Sequence, residues 1–228
     1  MSGFGLNPKE FEKNNIYSLL VGDSTFEDSI QQTNIPNLQL IPSHIDLAGF
    51  EIEIINEMSR EAIMKERIEG HADKYDFIFM DYSPSLGLLV INALVVSDSC
   101  LVPVQCEYFT LEGLAKLVDT IKLVQKKVNI NLKIEGVIPV MYDGRTNLSQ
   151  EVVKELKTAF DDLTYTTIIP RNIRLADAPS FGMPVFFVDR KYGAYGSSDL
   201  IFENAGAIAY LNLAKEFLLR NNKKILKE

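Results

Sequence analysis

Phe77-Ile78-Phe79-Met80-Asp81-Tyr82-Ser83-Pro84-Ser85-Leu86-Gly87, running on into Leu88-Leu89-Val90-Ile91-Asn92-Ala93-Leu94, is the stretch whose reading decides the fold. Four apolar residues closed by an aspartate are what a central parallel strand presents at its carboxyl end. Ligands in open α/β sheets bind just outside such ends. An aspartate there can hold Mg²⁺ through water, although a run ending in Asp is also what a plain strand terminus looks like. Pro84 marks a turn, and the apolar residues from Gly87 to Ser97 read as a buried helix.

Outward from this stretch the chain alternates short β-rich runs with longer helical ones. Leu38–Ile41 reads as a strand before Pro42. Asp46–Glu69 reads as one long helix with Asp46 as its N-cap and many i,i+4 charges. Tyr75–Met80 is a strand ending at Asp81, and Cys100–Val104 is another. Thr110–Lys127 carries Leu111, Leu114, Leu117, Val118, Ile121 and Val124 at helical spacing, with Thr110 able to cap. Leu132–Val140 is a strand, Leu148–Phe160 a helix capped by Asn147, Thr164–Ile169 a short strand and Ala205–Ile225 a terminal helix. The alternation predicts an α/β fold, a parallel sheet with helices on both faces. No repeat or linker breaks the chain, so residues 1–228 are expected to form one domain.

Composition excludes several classes. Two cysteines in 228 residues, Cys100 and Cys106, do not make a disulfide scaffold and read as small buried hydrophobes in a reducing cytoplasm. His44 and His71 are far apart and lack a cysteine or acidic ligand pattern, so no directly bound metal is expected. Residues 1–20 resemble no signal peptide, and no apolar run approaches the ~18 residues of a membrane span. A cytoplasmic location follows. The net charge of −8 hides an asymmetry: residues 1–114 hold 6 Lys/Arg and 18 Asp/Glu, while residues 115–228 hold 17 and 13. Only the second half could meet phosphates.

The motifs around these elements resemble the ParA/Soj family of DNA-partitioning ATPases. Asp81-Tyr82-Ser83-Pro84-Ser85-Leu86-Gly87 is similar to the family's D-x-P-P-S-L-G segment, with Ser83 at the first proline. Leu101 to Leu114 resembles its strand, glutamine-glutamate turn and following helix. Met141-Tyr142-Asp143-Gly144-Arg145-Thr146-Asn147-Leu148-Ser149 is similar to M-x-D-x-R-T-x-L-S. Ile169-Pro170-Arg171-Asn172-Ile173-Arg174-Leu175-Ala176-Asp177-Ala178-Pro179-Ser180 is similar to I-P-R-N-x-R-L-x-E-A-P-S. Pro42-Ser43, Ile45 to Gly49 and Leu213 to Glu216 also fit. The resemblance implies a P-loop NTPase-like sheet. It implies Asp81 as the Walker B carboxylate toward Mg²⁺, and Ser83, Pro84, Ser85 and Gly87 as a segment responsive to the γ-phosphate. Met141, Asp143, Pro170 and Arg171 would lie around the nucleotide base. Arg171, Arg174, Arg190 and Lys191 are candidates for contact with DNA. Tyr192 stands where the family has a basic residue.

A P-loop needs G-x-x-x-x-G-K-[ST], whose backbone N–H groups and lysine hold the phosphates. None of the 13 glycines here is followed by lysine. Ser2-Gly3-Phe4-Gly5-Leu6 resembles the S-G-L-G after the family's second strand. The expectation is therefore a sheet lacking the first strand, P-loop, first helix and second strand, with apolar strand edges exposed and a tendency to aggregate. The resemblance implies ATP and Mg²⁺ as cofactors, nonspecific DNA, self-association or a full-length ParA, and a ParB-like protein as partners, and a nucleoid-associated location without membrane. The residues present imply a chain inactive as an ATPase alone. Two alternatives stand beside partitioning: a non-enzymatic interaction protein or remnant, and a MinD-like membrane ATPase using the basic, apolar residues 217–227.

Overall fold

The computed structural model describes residues 2–4, 6, 8–82, 87–108, 110–187 and 204–221. The chain divides into two compact units. One comprises Leu6–Ser99 with Leu117–Lys133, the other Ser2–Gly5, Cys100–Lys116 and Ile134–Glu228.

The first unit is helical. α1 (Ile16–Val21) starts at Asn15, whose side chain accepts from the Ser18 N–H, and ends at Gly22 in the left-handed region. α2 (Phe26–Ser29) is capped by Thr25. β1 (Gln31–Gln32) and β2 (Gln39–Leu40) form a two-residue antiparallel ladder, Gln31 opposite Leu40, shorter than the expected Leu38–Ile41 strand. The long helix expected over Asp46–Glu69 is broken. A 3-10 turn over Ile45–Ala48, capped by His44 rather than Asp46, leads into α3 (Phe50–Glu53) and a second 3-10 turn over Ile54–Asn56. The chain then leaves helical geometry at Glu57, passes Ser59 with φ 56°, and resumes as α4 (Ile63–Ile68). The i,i+4 charges here carry the same sign: Glu53, Glu57 and Glu61 follow one another at that spacing, which opposes a continuous helix.

α5 (Leu88–Val96) is apolar all round and is buried accordingly. Its one polar residue, Asn92, is fully buried and fully used. Oδ1 accepts the Met64 N–H at 3.0 Å, and Nδ2 donates to the carbonyls of Arg60 at 2.8 Å and Leu88 at 3.1 Å. Asn129 closes the other end of α5 by donating to the carbonyls of Leu94, Val95 and Ser97. Leu19, Leu20, Phe26, Phe50, Ile54, Met64, Ile68 and Ala93 form the core between these helices.

The second unit carries the main sheet. β3 (Ser99–Gln105) and β4 (Lys133–Val140) are neighbours, joined through α6 (Thr110–Lys127). The Lys133 N–H donates to the Asp98 carbonyl and the Cys106 N–H to the Val140 carbonyl, both at 3.0 Å, so the strands run parallel. Residues 136–139 are all buried, as in a strand covered on both faces. Gly136 is required there: a Cβ would stand 2.6 Å from the Leu163 carbonyl and from the Tyr165 ring. Along the other edge of β4, residues 164–170 run parallel, but as single bridges at Val137–Thr164 and Tyr142–Pro170 rather than the expected strand. α7 (Asn147–Phe160) is capped by Thr146, not Asn147, and buries Ser149, Val152, Val153 and Leu156 at i, i+3, i+4, i+7. α8 (Ile173–Asp177) and α9 (Ala205–Arg220) complete the unit. Ile138, Tyr165, Ile169 and Ala209 form its core with Leu213 and Phe217. The expected extension of the last helix to Ile225 lies outside the described residues.

The expected strand Tyr75–Met80 is not one. The backbone over 77–80 carries no strand assignment, and a strand needs a ladder with a second segment as well as an apolar run. Tyr75, Met80 and Tyr82 pack onto the first core, while Ile78 and Phe79 face outward, Phe79 at 69% exposure.

Candidate functional site

Three chain segments converge at the carboxyl ends of β3 and β4. The Cys106 N–H holds the end of β4. The Tyr142 N–H donates to the Ile169 carbonyl at 3.1 Å, and the Arg171 N–H returns to the Tyr142 carbonyl at 2.9 Å. This two-way exchange brings Met141, Tyr142 and Asp143 beside Pro170 and Arg171. Four residues that the family resemblance groups around a base, Met141, Asp143, Pro170 and Arg171, thus share one end of one sheet. Met141 has φ 53°, a conformation that a bulky side chain enters only when its surroundings enforce it, and such strain gathers at functional sites.

The electrostatics of this sheet end are closed. Asp143 accepts Arg145 in a fork, Nε to Oδ1 at 2.9 Å and Nη2 to Oδ2 at 2.6 Å, and also takes the Arg145 N–H at 3.0 Å. These bonds, with Arg171 adding attraction, hold the Asp143 carboxyl well below the usual carboxylate range. The Asp143 N–H donates to Ser149 Oγ, and Ser149 Oγ reaches the Cys106 carbonyl at 3.4 Å. The start of α7 is thereby tied to both strand ends. Arg171 Nη2 donates to Glu107 Oε1 at 2.8 Å, with both side chains about half exposed. Asn172 caps α8 through the Arg174 N–H. Sequence alone does not pair Glu107 with Arg171. Their separation of 64 positions gives no local signal. The Cys106 thiol is buried, and burial pushes its pKa up, which suits a packing role.

The other candidates lie in the first unit. Asp81 is exposed beyond the apolar run 77–80. Ser83, Pro84 and Ser85 lie outside the described residues, as do Arg190, Lys191 and Tyr192. Gly87 precedes α5 with extended backbone and offers no side chain to cap it. Glu51 substitutes: its Oε1 accepts the Leu89 N–H at 2.9 Å. An anion at a helix start is favourable because the first N–H groups have no partner within the helix. Sequence alone does not find Glu51, since nothing local links it to a helix 38 positions on.

These residues do not make a complete site for magnesium triphosphate. No glycine in the 228 residues precedes lysine, so the lysine and hydroxyl of a phosphate loop are not among them. Among the described residues no group of three His, Cys, Asp or Glu side chains could hold a metal. No hydrolytic step follows from this set. Among the described residues, also, no helix is long and apolar enough to cross a membrane.

Comparison with known proteins gives this geometry its context. A family model described as an AAA domain matches residues 1–134. The chain is 46% identical to the sporulation initiation inhibitor protein Soj of Bacillus subtilis over 94% of its own length and 80% of that protein. It is 41% identical to the chromosome-partitioning ATPase Soj of Treponema pallidum, over 92% and 78%. Among solved structures it resembles cobyrinic acid a,c-diamide synthase from Mycobacterium smegmatis, determined with a bound ATP analog and magnesium. The TM-score is 0.76 at 28% identity, over 97% of this chain and 78% of that one. The α/β fold is thus that of the P-loop NTPases. With relatives of this identity over nine-tenths of its length, the chain belongs to the ParA/Soj family of partition ATPases.

Proposed function

We propose that the chain serves DNA partitioning, with a nucleotide base received at the carboxyl ends of β3 and β4 and DNA met by cations of the second unit. The observation that carries the reading is the exchange between Tyr142 and Ile169–Arg171, which gathers Met141, Asp143, Pro170 and Arg171 at one sheet end. In this reading Arg171 and Arg174, with Arg190 and Lys191, contact phosphates without reading bases, as the positive balance of residues 115–228 favours. Asp81 would face the magnesium of a bound nucleotide, with Ser83, Pro84, Ser85 and Gly87 following it, and residues 1–228 would form one ATPase domain. A ParB-like protein and further ParA copies are the expected partners, in the cytoplasm at the nucleoid.

The test is a mobility shift with random-sequence linear duplex. Sequence-independent binding should weaken linearly in log salt. Arg174→Glu should weaken it on the order of tenfold or more, reversing one contact's charge. Absence of binding at low salt, with or without ATP and Mg²⁺, overturns the DNA reading. Titration with a fluorescent adenine nucleotide tests the base site separately, with Arg171→Ala and Pro170→Gly expected to weaken it.

A second reading stands beside the first. The chain would then act as a non-enzymatic interaction protein. Capture of an intact ParA-like protein without nucleotide turnover by the chain supports it; turnover by the chain itself excludes it. The MinD-like alternative predicts co-sedimentation with anionic vesicles, and plasmid co-sedimentation instead sets it aside.

A further inference from the structure

We infer that the tip where α6 gives way to β4 is a docking surface for an anionic lipid bilayer. From residue 120 to residue 134 the chain holds Lys122, Lys126, Lys127 and Lys133 and not one aspartate or glutamate. All four lysines are exposed. Lys74 and Lys116 pair with carboxylates, whereas these four have no such partner among the described residues. Two aliphatic side chains stand out among them, Leu123 at 53% exposure and Ile130 at 86%. Leu123, Lys126 and Lys127 share one helix face at i, i+3 and i+4, and Ile130 lies in the turn that follows. Hydrogen bonds fix this turn. The N–H groups of Val128 and Asn129 both donate to the Val124 carbonyl at 2.9 Å, and the Leu132 N–H donates to the Asn129 carbonyl at 3.2 Å. Gln125 Nε2 donates to the Leu132 carbonyl at 2.8 Å, while Asn129 is anchored on the end of α5. Val124 and Leu132 fill the inside, at 4% and 2% exposure, so Ile130 is held outward by bonded backbone.

Charge and shape together decide the occupant. Lysines in a last helical turn complement the helix dipole. That accounts for Lys126 and Lys127, but not for Lys122, for Lys133 on the next strand or for the aliphatic pair. The exposed acids beside the tip are Asp119, one turn earlier, and Asp98, whose carbonyl accepts the Lys133 N–H. Four cations against these two acids leave the tip positive. A nucleic-acid duplex would neutralise the lysines but leave Leu123 and Ile130 in water. A second copy meeting the same tip about a two-fold axis would set the lysines against their own like charges. An acidic protein would need a pocket shaped to a protruding side chain. A bilayer surface needs none: its headgroups carry the negative charge, and the boundary beneath them receives apolar side chains of any shape. Contact of this kind lies in the interface, is reversible and crosses nothing.

The inference does not rest on the partition reading, because its vesicle assays contain neither nucleotide nor DNA. The full chain is sedimented with vesicles of phosphatidylcholine carrying about a third phosphatidylserine. A bound fraction is expected that falls as salt rises, with little binding to phosphatidylcholine alone. Leu123→Ser with Ile130→Ser should lower the partition coefficient on the order of tenfold. Lys126→Gln with Lys127→Gln should lower it by a similar factor and flatten the salt dependence. Ile52→Ser, at an exposed apolar position on an acidic segment of the same unit, should leave it unchanged. The protein has no tryptophan, so Ile130→Trp places a single reporter at the tip. Its emission should shift to the blue on the mixed vesicles and not on a DNA duplex. These positions are exposed, so the variants keep the parent melting temperature. Unchanged partition of the Leu123/Ile130 variant overturns the inference, as does unshifted emission from the Ile130→Trp chain. So does vesicle binding that Ile225→Ser with Leu226→Ser abolishes, since the contact then belongs to the last residues. Loss of duplex binding in the lysine variant with vesicle binding intact assigns the tip to DNA and overturns it too. Concentration-dependent self-association of the parent that the Leu123/Ile130 variant abolishes does likewise, the tip then being covered by a second copy.

Discussion

The two apolar runs that look most alike in sequence, Phe77–Met80 and Ile134–Val140, meet opposite fates. Both are short, apolar and flanked by turn residues. β4 is paired along both edges, by β3 on one side and by the 164–170 segment on the other. Its buried residues are fixed, and the site residues beyond its end are fixed with it. Phe77–Met80 forms no strand, leaves Ile78 and Phe79 exposed, and delivers Asp81 to the surface as an exposed carboxylate. A functional side chain at a strand end is positioned only as well as the strand is paired. Apolar content alone does not position it.

The contrast is broken most severely by removing the first unit's fully buried Phe50. Phe50→Ala should destabilise by about 3–5 kcal/mol. Hydrogen exchange should then speed through α1, α4 and α5 before it speeds in β4. Equal loss in both units would mean that they unfold as one.

Asn92→Ala comes next. It strips partners from the Met64 N–H and the Arg60 carbonyl inside a buried helix contact, and should cost about 2–3 kcal/mol in a urea titration. Asn92→Asp should be no better, because a carboxylate cannot donate to Arg60.

The second unit has its own clamp. Glu216 accepts the backbone N–H groups of Thr166 and Thr167 and the Thr166 hydroxyl, at 2.8 to 3.0 Å, and pairs with Arg220. Burial raises its pKa, but these bonds outweigh burial and bring it from 4.5 to about 2. A depressed carboxylate pKa stabilises the fold above its unfolded value and loses that contribution as pH falls through the folded one. The clamp should therefore hold above about pH 4.5 and fade toward pH 2. Glu216→Ala should cost about 2 kcal/mol at neutral pH and flatten the acid limb of a melting-temperature profile. An unchanged acid limb would remove the clamp from the account.

The smallest effect sharpens the comparison from the other side. Phe79→Ser should change stability by less than about 0.5 kcal/mol, as surface substitutions do. It should nonetheless raise the concentration at which the chain stays monodisperse in light scattering. A loss like that of Phe50→Ala would show that Phe79 is packed.

Much of the chain after residue 98 was legible in its sequence. Helical spacing in 110–127 and 147–160 and the continuous apolar run of β4 survive because each is set by its own burial. The caps moved by one residue, since Thr146 and Asn147 can both accept and only backbone angle selects between them. The break in 46–69 was written in the like charges of Glu53, Glu57 and Glu61, a pattern whose sign matters more than its spacing. Strand formation at 75–80 was not legible, because a strand is a property of two segments. The same holds for Glu51 at the start of α5 and Glu107 on Arg171, contacts made by the fold between distant positions.

Tyr165 offers a practical handle on the second unit. Its ring is fully buried beneath the Arg220 guanidinium, 4.0 Å from centroid to Cζ, and burial pushes its phenol well above the ordinary range. The protein has 9 tyrosines and no tryptophan, so its near-ultraviolet signal is a tyrosine signal. In an alkaline spectrophotometric titration Tyr165 should ionise only when α9 lifts away. That late step would report the undocking of the last helix optically, in the unlabelled protein.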